Sequence, residues 1–231
     1  MAERRSRGEP LQYILGSTDF GPLTLLTKPP VLIPRPETAF IIEDLAARIL
    51  SARRRGAVTR PLVILDLCDA LHVAYGVDIS PDAVALSRDN IASLQDPKVT
   101  IFQADILAPT FPNSLRQATG NVSIDIITSN PPYIPQEEWE SLPSSVKEYE
   151  DRGALVGGPV SGVGDGVAFY DHISKMAKDI LCPDASLDGQ VPRLAVEIGA
   201  SQGSMVSTLL PGKTEIVQDQ YGRDRMVLSS M

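Results

Sequence analysis

The chain has 231 residues, of which 43% are hydrophobic, and this is enough for one sizeable core without a second domain. Its net charge of −8 and isoelectric point near 4.8 argue against a nucleic-acid partner, whose phosphates reward clustered Lys and Arg. Cys68 and Cys182 are too few for a disulfide scaffold or a zinc site, and no 18-residue apolar run predicts a membrane span. We therefore expect a soluble monomer without a structural metal.

The predicted elements begin with a short β-hairpin, whose arms are residues 13–15 and 23–26 around Gly21-Pro22. A helix is predicted over 37–54, because Ile41, Leu45 and Ile49 recur every four residues. Strands are predicted over 63–67, 73–78, 99–102, 124–129, 194–198, 215–217 and 226–228, and helices over 81–94, 167–180 and 202–209. Long loops are predicted over 109–121, 134–166 and 182–192. Alternating strands and helices predict an α/β fold with a doubly wound, mostly parallel sheet.

One connection in this alternation is unusually short. Between the strands predicted at 63–67 and 73–78 stand only Cys68, Asp69, Ala70, Leu71 and His72. A helical crossover between parallel strands needs about a dozen or more residues. We therefore expect a truncated first βαβ unit, in which the second strand pairs antiparallel or one of the two strands leaves the sheet.

The segment Asn130-Pro131-Pro132-Tyr133 follows the apolar strand predicted at 124–129, where open α/β sheets bind their ligands. The Asn130 side-chain oxygen and the Pro131 carbonyl can both accept from a substrate NH2 group, and the two prolines stiffen the turn. Two acceptors would orient an amide nitrogen in line with a methyl donor, and Tyr133 can wall the pocket. By themselves, these four residues also suit an ordinary Asn-Pro turn after a strand.

Further segments stand in order around this motif. They are residues 7–16 (RGEPLQYILG), 32–38 (LIPRPET) and, more diffusely, 149–150, 154–158, 164–166, 197–199 and 219–225. With residues 129–134 (SNPPYI), they resemble the HemK/PrmC family of class I methyltransferases, which methylate the glutamine amide of the GGQ loop in translation release factors. The resemblance implies a Rossmann-like fold, with 1–36 as an N-terminal segment and hairpin and 37–231 as the methyltransferase domain.

The same resemblance implies S-adenosylmethionine as the methyl donor and a release factor as the protein partner. It assigns the catalytic role to Asn130, Pro131, Pro132 and Tyr133. The donor would be bound by Asp66 at its amino group, by Asp78 at its ribose, by Asp105 and Ile106 around its adenine, and by Asn130.

Several of these positions also have a plain structural interpretation. Asp78 suits a helix cap and Asp105 suits the opening of a turn. Arg35 and Glu37 are expected to line the donor pocket from outside, and Glu197 is expected to support the end of its strand. His72 and His172 are expected to be structural, and Trp139 and Tyr149 to pack locally.

The family expects a Gly-rich turn after its first strand, and the residues between Leu67 and Ala74 contain no glycine. Three functions therefore stay open: a protein glutamine-N5 methyltransferase, a degenerate member that has lost donor affinity, and an adenine-N6 nucleic-acid methyltransferase. The acidic balance and the segments 7–16 and 32–38 favour the first. The family's helical domain has no counterpart before Arg7, which an N-terminally incomplete chain would explain; the compartment, mitochondrion or cytoplasm, stays open.

Overall fold

The structure, a computed structural model, describes residues 1–67, 74–95, 98–157, 167–184, 187 and 189–231. Its α-helices are α1 (Ala2–Ser6), α2 (Leu11–Leu15), α3 (Pro36–Arg54), α4 (Pro81–Leu94), α5 (Phe111–Thr119), α6 (Ser144–Tyr149), α7 (Ala168–Ile180) and α8 (Gly203–Leu209). Its strands are β1 (Ser17–Phe20), β2 (Leu23–Leu26), β3 (Ile64–Asp66), β4 (Ala74–Asp78), β5 (Val99–Gln103), β6 (Ile126–Ser129), β7 (Leu194–Glu197), β8 (Lys213–Gln218) and β9 (Asp224–Ser230). Two short 3-10 helices cover Gln136–Ser141 and Arg152–Ala154.

Seven strands form the main sheet, in the order β5-β4-β3-β6-β7-β9-β8. Strands β3 to β7 are parallel to one another, whereas β9 runs antiparallel to both β7 and β8. Successive side chains of a strand point to opposite sides of the sheet, and helices cover both sides. The predicted doubly wound, mostly parallel sheet is therefore confirmed.

The two faces of β7 illustrate this arrangement. Leu194 and Val196 belong to the larger core, which α5, α7 and α8 cover with residues such as Phe111 and Tyr170. Ala195 points the other way, into a smaller core that α3 covers with Ile41 and Leu45. All four residues of β7 are buried, as expected for a central strand between two helical layers.

The pairing expected for the strand after the short connection is wrong. Strands β3 and β4 pair in parallel, with Ile64 beside Ala74 and Asp66 beside Gly76. Because β3 is only three residues long, the chain must return about 10 Å, and seven residues can span about 23 Å when extended. A parallel return over this distance therefore needs no helix. Residues 68–73, including the predicted strand residue Val73, lie outside the described residues.

The hairpin prediction is half right. Residues 23–26 form β2, but the partner is β1, whereas residues 13–15 belong to α2. Pro10 and the left-handed Gly16 (φ 79°) delimit α2 as a single helical turn, and a three-residue apolar run does not distinguish helix from strand.

Two predicted loops contain helices. Residues 109–121 include α5, whose Phe111, Leu115 and Thr119 are spaced by four residues and are buried. Residues 134–157 include α6 and both 3-10 helices, and 158–166 lie outside the described residues. The remaining predicted strands and helices are present with small shifts at their ends.

The small β1–β2 sheet is attached to α4 through one side chain. The Leu26 N–H donates to Asn90 Oδ1 at 2.6 Å, and Asn90 Nδ2 donates to the Leu26 carbonyl at 3.3 Å. Leu26 stands opposite Ser17 in the hairpin register. The amide of Asn90 thus contacts the outer backbone edge of β2, on the side away from β1.

A buried ion pair fixes the amino-terminal end of β6. Asp125, immediately before this strand, accepts from Arg60 Nη1 and Nη2 at 2.7 Å each and from the Val63 N–H at 2.9 Å. Arg60 also contacts Asp184, at 2.8 Å. The Asp125 side chain is 1% exposed, so its charge is compensated almost entirely by protein groups.

Within the described part of the chain, no helix is both long and apolar enough to span a bilayer. No three or more His, Cys, Asp or Glu side chains among these residues cluster so as to hold a metal ion.

Candidate functional site

Most of the predicted site residues lie at one edge of the sheet. Asp66 ends β3 and Asp78 ends β4, while Asp105 follows β5 and Asn130 follows β6. These four strands are parallel neighbours, so their carboxyl ends meet at the same edge. This edge is where open α/β sheets bind ligands.

The Asn130-Pro131-Pro132-Tyr133 segment opens a small pocket at this edge. The pocket is lined by Leu32, Arg35, Asn130, Tyr133, Ile134, Ala154 and Leu155. Three of the predicted family segments, 32–38, 129–134 and the more diffuse 154–158, therefore supply its walls. Within the described residues no group hydrogen-bonds the Asn130 side chain or the Pro131 carbonyl, so both acceptors remain available to a ligand.

The part of the pocket wall that contains Arg35 is held by an ion pair between distant segments. Arg35 Nη2 donates to Glu150 Oε2 at 2.7 Å, and the Ile33 N–H donates to the same oxygen at 3.3 Å. The Glu150 side chain is 1% exposed, and that of Arg35 is 34% exposed. A buried carboxylate thus fixes a cation whose guanidinium faces the pocket. Arg35 was expected to line the donor pocket, and the structure places it beside Asn130.

Tyr133 contributes a phenol that stays protonated. Burial and the neighbouring Glu197 carboxylate raise its pKa above the usual value. Its hydroxyl donates to Glu197 Oε1 at 3.3 Å. Glu197 is the last residue of β7 and is buried, in agreement with the expectation that it supports this strand end.

The predicted donor residues differ in how the protein already uses them. Asp78 is half-buried, and Oδ1 accepts from the Ser80 N–H at 2.7 Å. Burial raises the pKa of this carboxyl. The cap of α4 is Ser80, whose hydroxyl accepts from the Ala83 N–H, so Asp78 is not the helix cap. The Asp78 carboxylate therefore supports the start of α4 from the strand end.

Asp105 and Asp66 both have internal partners. Asp105 is exposed and opens a turn, with Oδ1 accepting from the Leu107 N–H at 2.8 Å. Asp66 is buried and accepts from the Thr128 hydroxyl on β6 at 2.7 Å. Asp66 therefore braces β3 against the strand that carries Asn130.

Ile106 is half-buried and packs against the larger core. Its carbonyl accepts a hydrogen bond from His172 Nε2 at 2.8 Å, which agrees with the expectation that His172 is structural. The Arg152 guanidinium stacks over Trp139, with its Cζ 5.3 Å from the centroid of the Trp139 ring. The Tyr149 hydroxyl donates to the Arg7 carbonyl. Trp139 thus has a neighbour in the same loop, whereas the contact of Tyr149 is with the distant N-terminal segment. His72 lies outside the described residues.

Sequence reasoning missed two residues of this edge. Ile79 follows Asp78 directly and is 63% exposed, which is unusual for a large apolar side chain and suits contact with the face of a flat ligand. Glu150 was noted only as part of a diffuse resemblance, and its buried pairing with Arg35 depends on the tertiary fold. The one local signal for Ile79 in the sequence was its position, as an apolar residue directly after the aspartate that ends a strand.

The described residues fit the nucleoside part of S-adenosylmethionine. Asp78 offers a carboxylate at the strand end, and the exposed Ile79 and half-buried Ile106 offer apolar surface beside it. The connection that would face the methionine part lies outside the described residues and has no glycine in its sequence. The described residues therefore fit the nucleoside of the donor.

Known proteins resemble this chain along almost its whole length. The release factor glutamine methyltransferase of Bacillus cereus is 33% identical, over 97% of this chain and 77% of that protein. The enzyme of the same name from Geobacter sulfurreducens is 34% identical, over 98% of this chain and 75% of that protein. The chain belongs to the release factor glutamine methyltransferase family. The corresponding protein of Caulobacter vibrioides, 31% identical over 98% of the chain, agrees with this assignment.

Solved structures show the same fold for this release factor glutamine methyltransferase family member. An S-adenosylmethionine-dependent methyltransferase from Agrobacterium tumefaciens superposes with a TM-score of 0.50 at 13% identity, over 93% of this chain and 69% of that one. Human methyltransferase 10 domain containing protein gives 0.51 at 8% identity, over 100% and 97%. No family model matches the chain. The predicted family and the Rossmann-like methyltransferase fold are both confirmed.

Proposed function

We propose that this protein transfers a methyl group from S-adenosylmethionine to the side-chain amide of the GGQ glutamine in a peptide chain release factor. The names of its relatives support this substrate. The observation that carries the proposal is the pocket in which Asn130 and Tyr133 face Leu32 and Arg35. The motif that suits an NH2 group and the segment specific to this family thus line one pocket.

The residues of this pocket act mainly by orientation. S-adenosylmethionine, when bound, supplies an electrophilic methyl group on a sulfonium. Asn130 Oδ1 and the Pro131 carbonyl accept the two N–H bonds of the substrate amide and hold its nitrogen in line with that methyl group. Pro131 is buried and precedes Pro132, which restricts its ψ, so the second acceptor moves little. Because both groups accept, a glutamate carboxylate, which has no hydrogen to donate, is rejected.

The Arg35–Glu150 pair has a second consequence in this pocket. An isolated cation beside Asn130 would repel the positively charged sulfonium. The buried Glu150 carboxylate compensates the Arg35 charge at 2.7 Å. We therefore propose that Glu150 keeps the pocket close to neutral as well as holding its wall in place.

The N-terminal segment 1–36 is proposed to frame the substrate entrance. The Tyr13 hydroxyl donates to the Val31 carbonyl at 2.6 Å, and the Tyr149 hydroxyl donates to the Arg7 carbonyl at 3.3 Å. The first contact joins α2 to the stretch directly before the pocket-lining Leu32, and the second joins residues 1–36 to the loop after the motif. We propose a monomer that acts on protein and not on nucleic acid.

The test is transfer of labelled methyl from S-adenosylmethionine to a purified release factor. Three alternative acceptors are tested beside it: a release factor whose GGQ glutamine is replaced by alanine, duplex DNA, and RNA. Asn130→Ala is expected to lower kcat/KM about 100-fold or more, as is typical when one positioned hydrogen-bonding group is removed. Asn113→Ala is the matched control, because Asn113 is exposed on α5 and its side chain contacts Arg116.

Each outcome distinguishes the competing functions. Label on the native release factor alone supports the proposal, whereas label on nucleic acid would identify the adenine-N6 alternative. Binding of the release factor without transfer, and without calorimetric binding of S-adenosylmethionine, would identify a degenerate member. Equal activity of Asn130→Ala and Asn113→Ala would refute the assigned role of the motif.

A further inference from the structure

Tyr133 is anchored to the end of β7 at both its backbone and its side chain. Gln202 Nε2 donates to the Tyr133 carbonyl at 3.0 Å, and the Gln202 amide oxygen accepts from the Gly199 N–H at 2.8 Å. The Tyr133 hydroxyl donates to Glu197 Oε1. Since Tyr133 also lines the pocket, the position of this wall depends on two residues that do not line it themselves.

Glu197 is the unusual member of this group. Its side chain lies in a buried site at the meeting point of four elements, where burial raises its pKa to about 7. The groups that face it are Thr38 and Glu37 of α3, Arg225 of β9, Tyr133 after β6 and Tyr170 of α7. The positive charge of Arg225 lowers the pKa of Glu197, although the hydrogen bond that Arg225 Nε donates, at 3.1 Å, goes to Asp219.

Two atoms at this site have no hydrogen-bond partner within the described residues. They are Glu197 Oε2 and Thr38 Oγ1, and both are buried. Thr38 is close enough to lower the pKa of Glu197, yet the two atoms do not form a hydrogen bond of normal geometry. Buried polar atoms without partners are rare in proteins, and they concentrate where a group changes its protonation state or its ligand.

We propose that Glu197 is a positioning residue, which holds Tyr133 in the pocket wall through its ionised carboxylate and releases it when protonated. A hydrogen bond to a carboxylate is roughly twice as strong as one to a neutral acid. Protonation also gives the acid a hydrogen to donate toward Thr38 Oγ1, away from Tyr133. The inference deepens the proposed function and rests on it, because a displaced wall misaligns the substrate amide and lowers the rate.

The test compares wild type, Glu197→Gln and Tyr133→Phe between pH 5.5 and 9, in the full chain. One measurement is kcat/KM for methyl transfer to a release factor, and the other is the affinity for a GGQ-containing peptide without any methyl donor. The ionised fraction of a group that titrates near pH 7 rises about tenfold between pH 6 and 8, so both quantities should rise about tenfold in wild type. Both variants should show flat profiles.

The acidic control is Asp171→Asn, which removes an exposed carboxyl on α7 that pairs with Lys175 and should keep the wild-type profile. A wild-type slope in Glu197→Gln would overturn the inference, as would a wild-type slope in Tyr133→Phe. Tyr133→Phe keeps the test decisive should Glu197→Gln fail to fold. A wild type that transfers no methyl group, but binds the peptide with this pH dependence, would refute the proposed function and leave the role of Glu197 standing. Absence of both transfer and peptide binding would refute both.

Discussion

Replacing Arg60 with alanine is expected to destabilise the fold by about 3 kcal/mol, although the Arg60 side chain is 42% exposed. The reason is its partner, Asp125, whose side chain is 1% exposed. Without Arg60, the Val63 N–H is the only group among the described residues that still donates to the Asp125 carboxylate. Removing one member of a buried ion pair costs about 3–5 kcal/mol, and water entering at the exposed guanidinium position places this case at the lower end.

The chain contains a matched control for this prediction. Arg48 also pairs with a carboxylate through both Nη atoms, at 3.0 and 2.8 Å, but its partner Glu215 is 57% exposed. Exposed pairs contribute about 0–1 kcal/mol, so Arg48→Ala should lower the free energy of unfolding by less than about 1 kcal/mol. The two arginines are similarly exposed, and the difference comes from the burial of the carboxylate.

Urea denaturation at pH 7 of wild type, Arg60→Ala and Arg48→Ala measures both losses. The slope of free energy against urea should be the same for all three proteins, so that the midpoints report stability directly. High salt should reduce the Arg48 effect and leave most of the Arg60 effect, because buried charges are screened less. Equal losses for the two variants would show that carboxylate burial does not decide the strength of these pairs.

Three further predictions test other parts of the structure. Gly222→Ala should lower the free energy of unfolding by about 1–2 kcal/mol, because of its φ of +74° alone. Gly212→Ala (φ +75°) should lower it by about 3 kcal/mol, because the added Cβ would also meet the Ser230 carbonyl. Equal losses in thermal unfolding would contradict this difference. Burial raises the pKa of Glu197 from 4.5 to about 7, so the folded state keeps a proton that the unfolded state has lost, and stability should fall by about 3 kcal/mol between these pH values. Glu197→Gln should remove this fall in urea denaturation, and parallel curves for the two proteins would count against it. Phe111→Ala, at a residue 2% exposed, should cost about 3–5 kcal/mol by the same assay, and a loss below about 1 kcal/mol would mean that α5 is not part of the core.

The central sheet could be predicted from the sequence because strands in its middle, such as β6 and β7, are buried along their whole length. Leu194 to Glu197 are buried on both faces, and such runs carry their signal locally. Helix α5 was missed because Pro112, Asn113 and Ser114 are typical turn residues, although Phe111 and Leu115 mark a buried face. The parallel pairing of β3 and β4 was missed because the length of β3 decides how far the chain must return, and strand ends are poorly marked in a sequence.

The candidate site divides in the same way. Asn130 and Tyr133 belong to one short segment after a strand, so a local motif was enough to find them. Glu150 and Gln202 reach the site from loops distant in sequence, and their roles depend on contacts with Arg35 and with the Tyr133 carbonyl. Neither partner is specified by spacing along the chain.

The amide of Asn90 has a consequence for how copies of this protein meet one another. A strand at the edge of a sheet exposes backbone donors and acceptors that can template pairing with another chain. At Leu26, where the outer edge of β2 would offer one such donor and acceptor, Asn90 occupies both. A side chain thus takes the place of a neighbouring strand at this position, and the Leu26 N–H and carbonyl are not available for pairing with another chain.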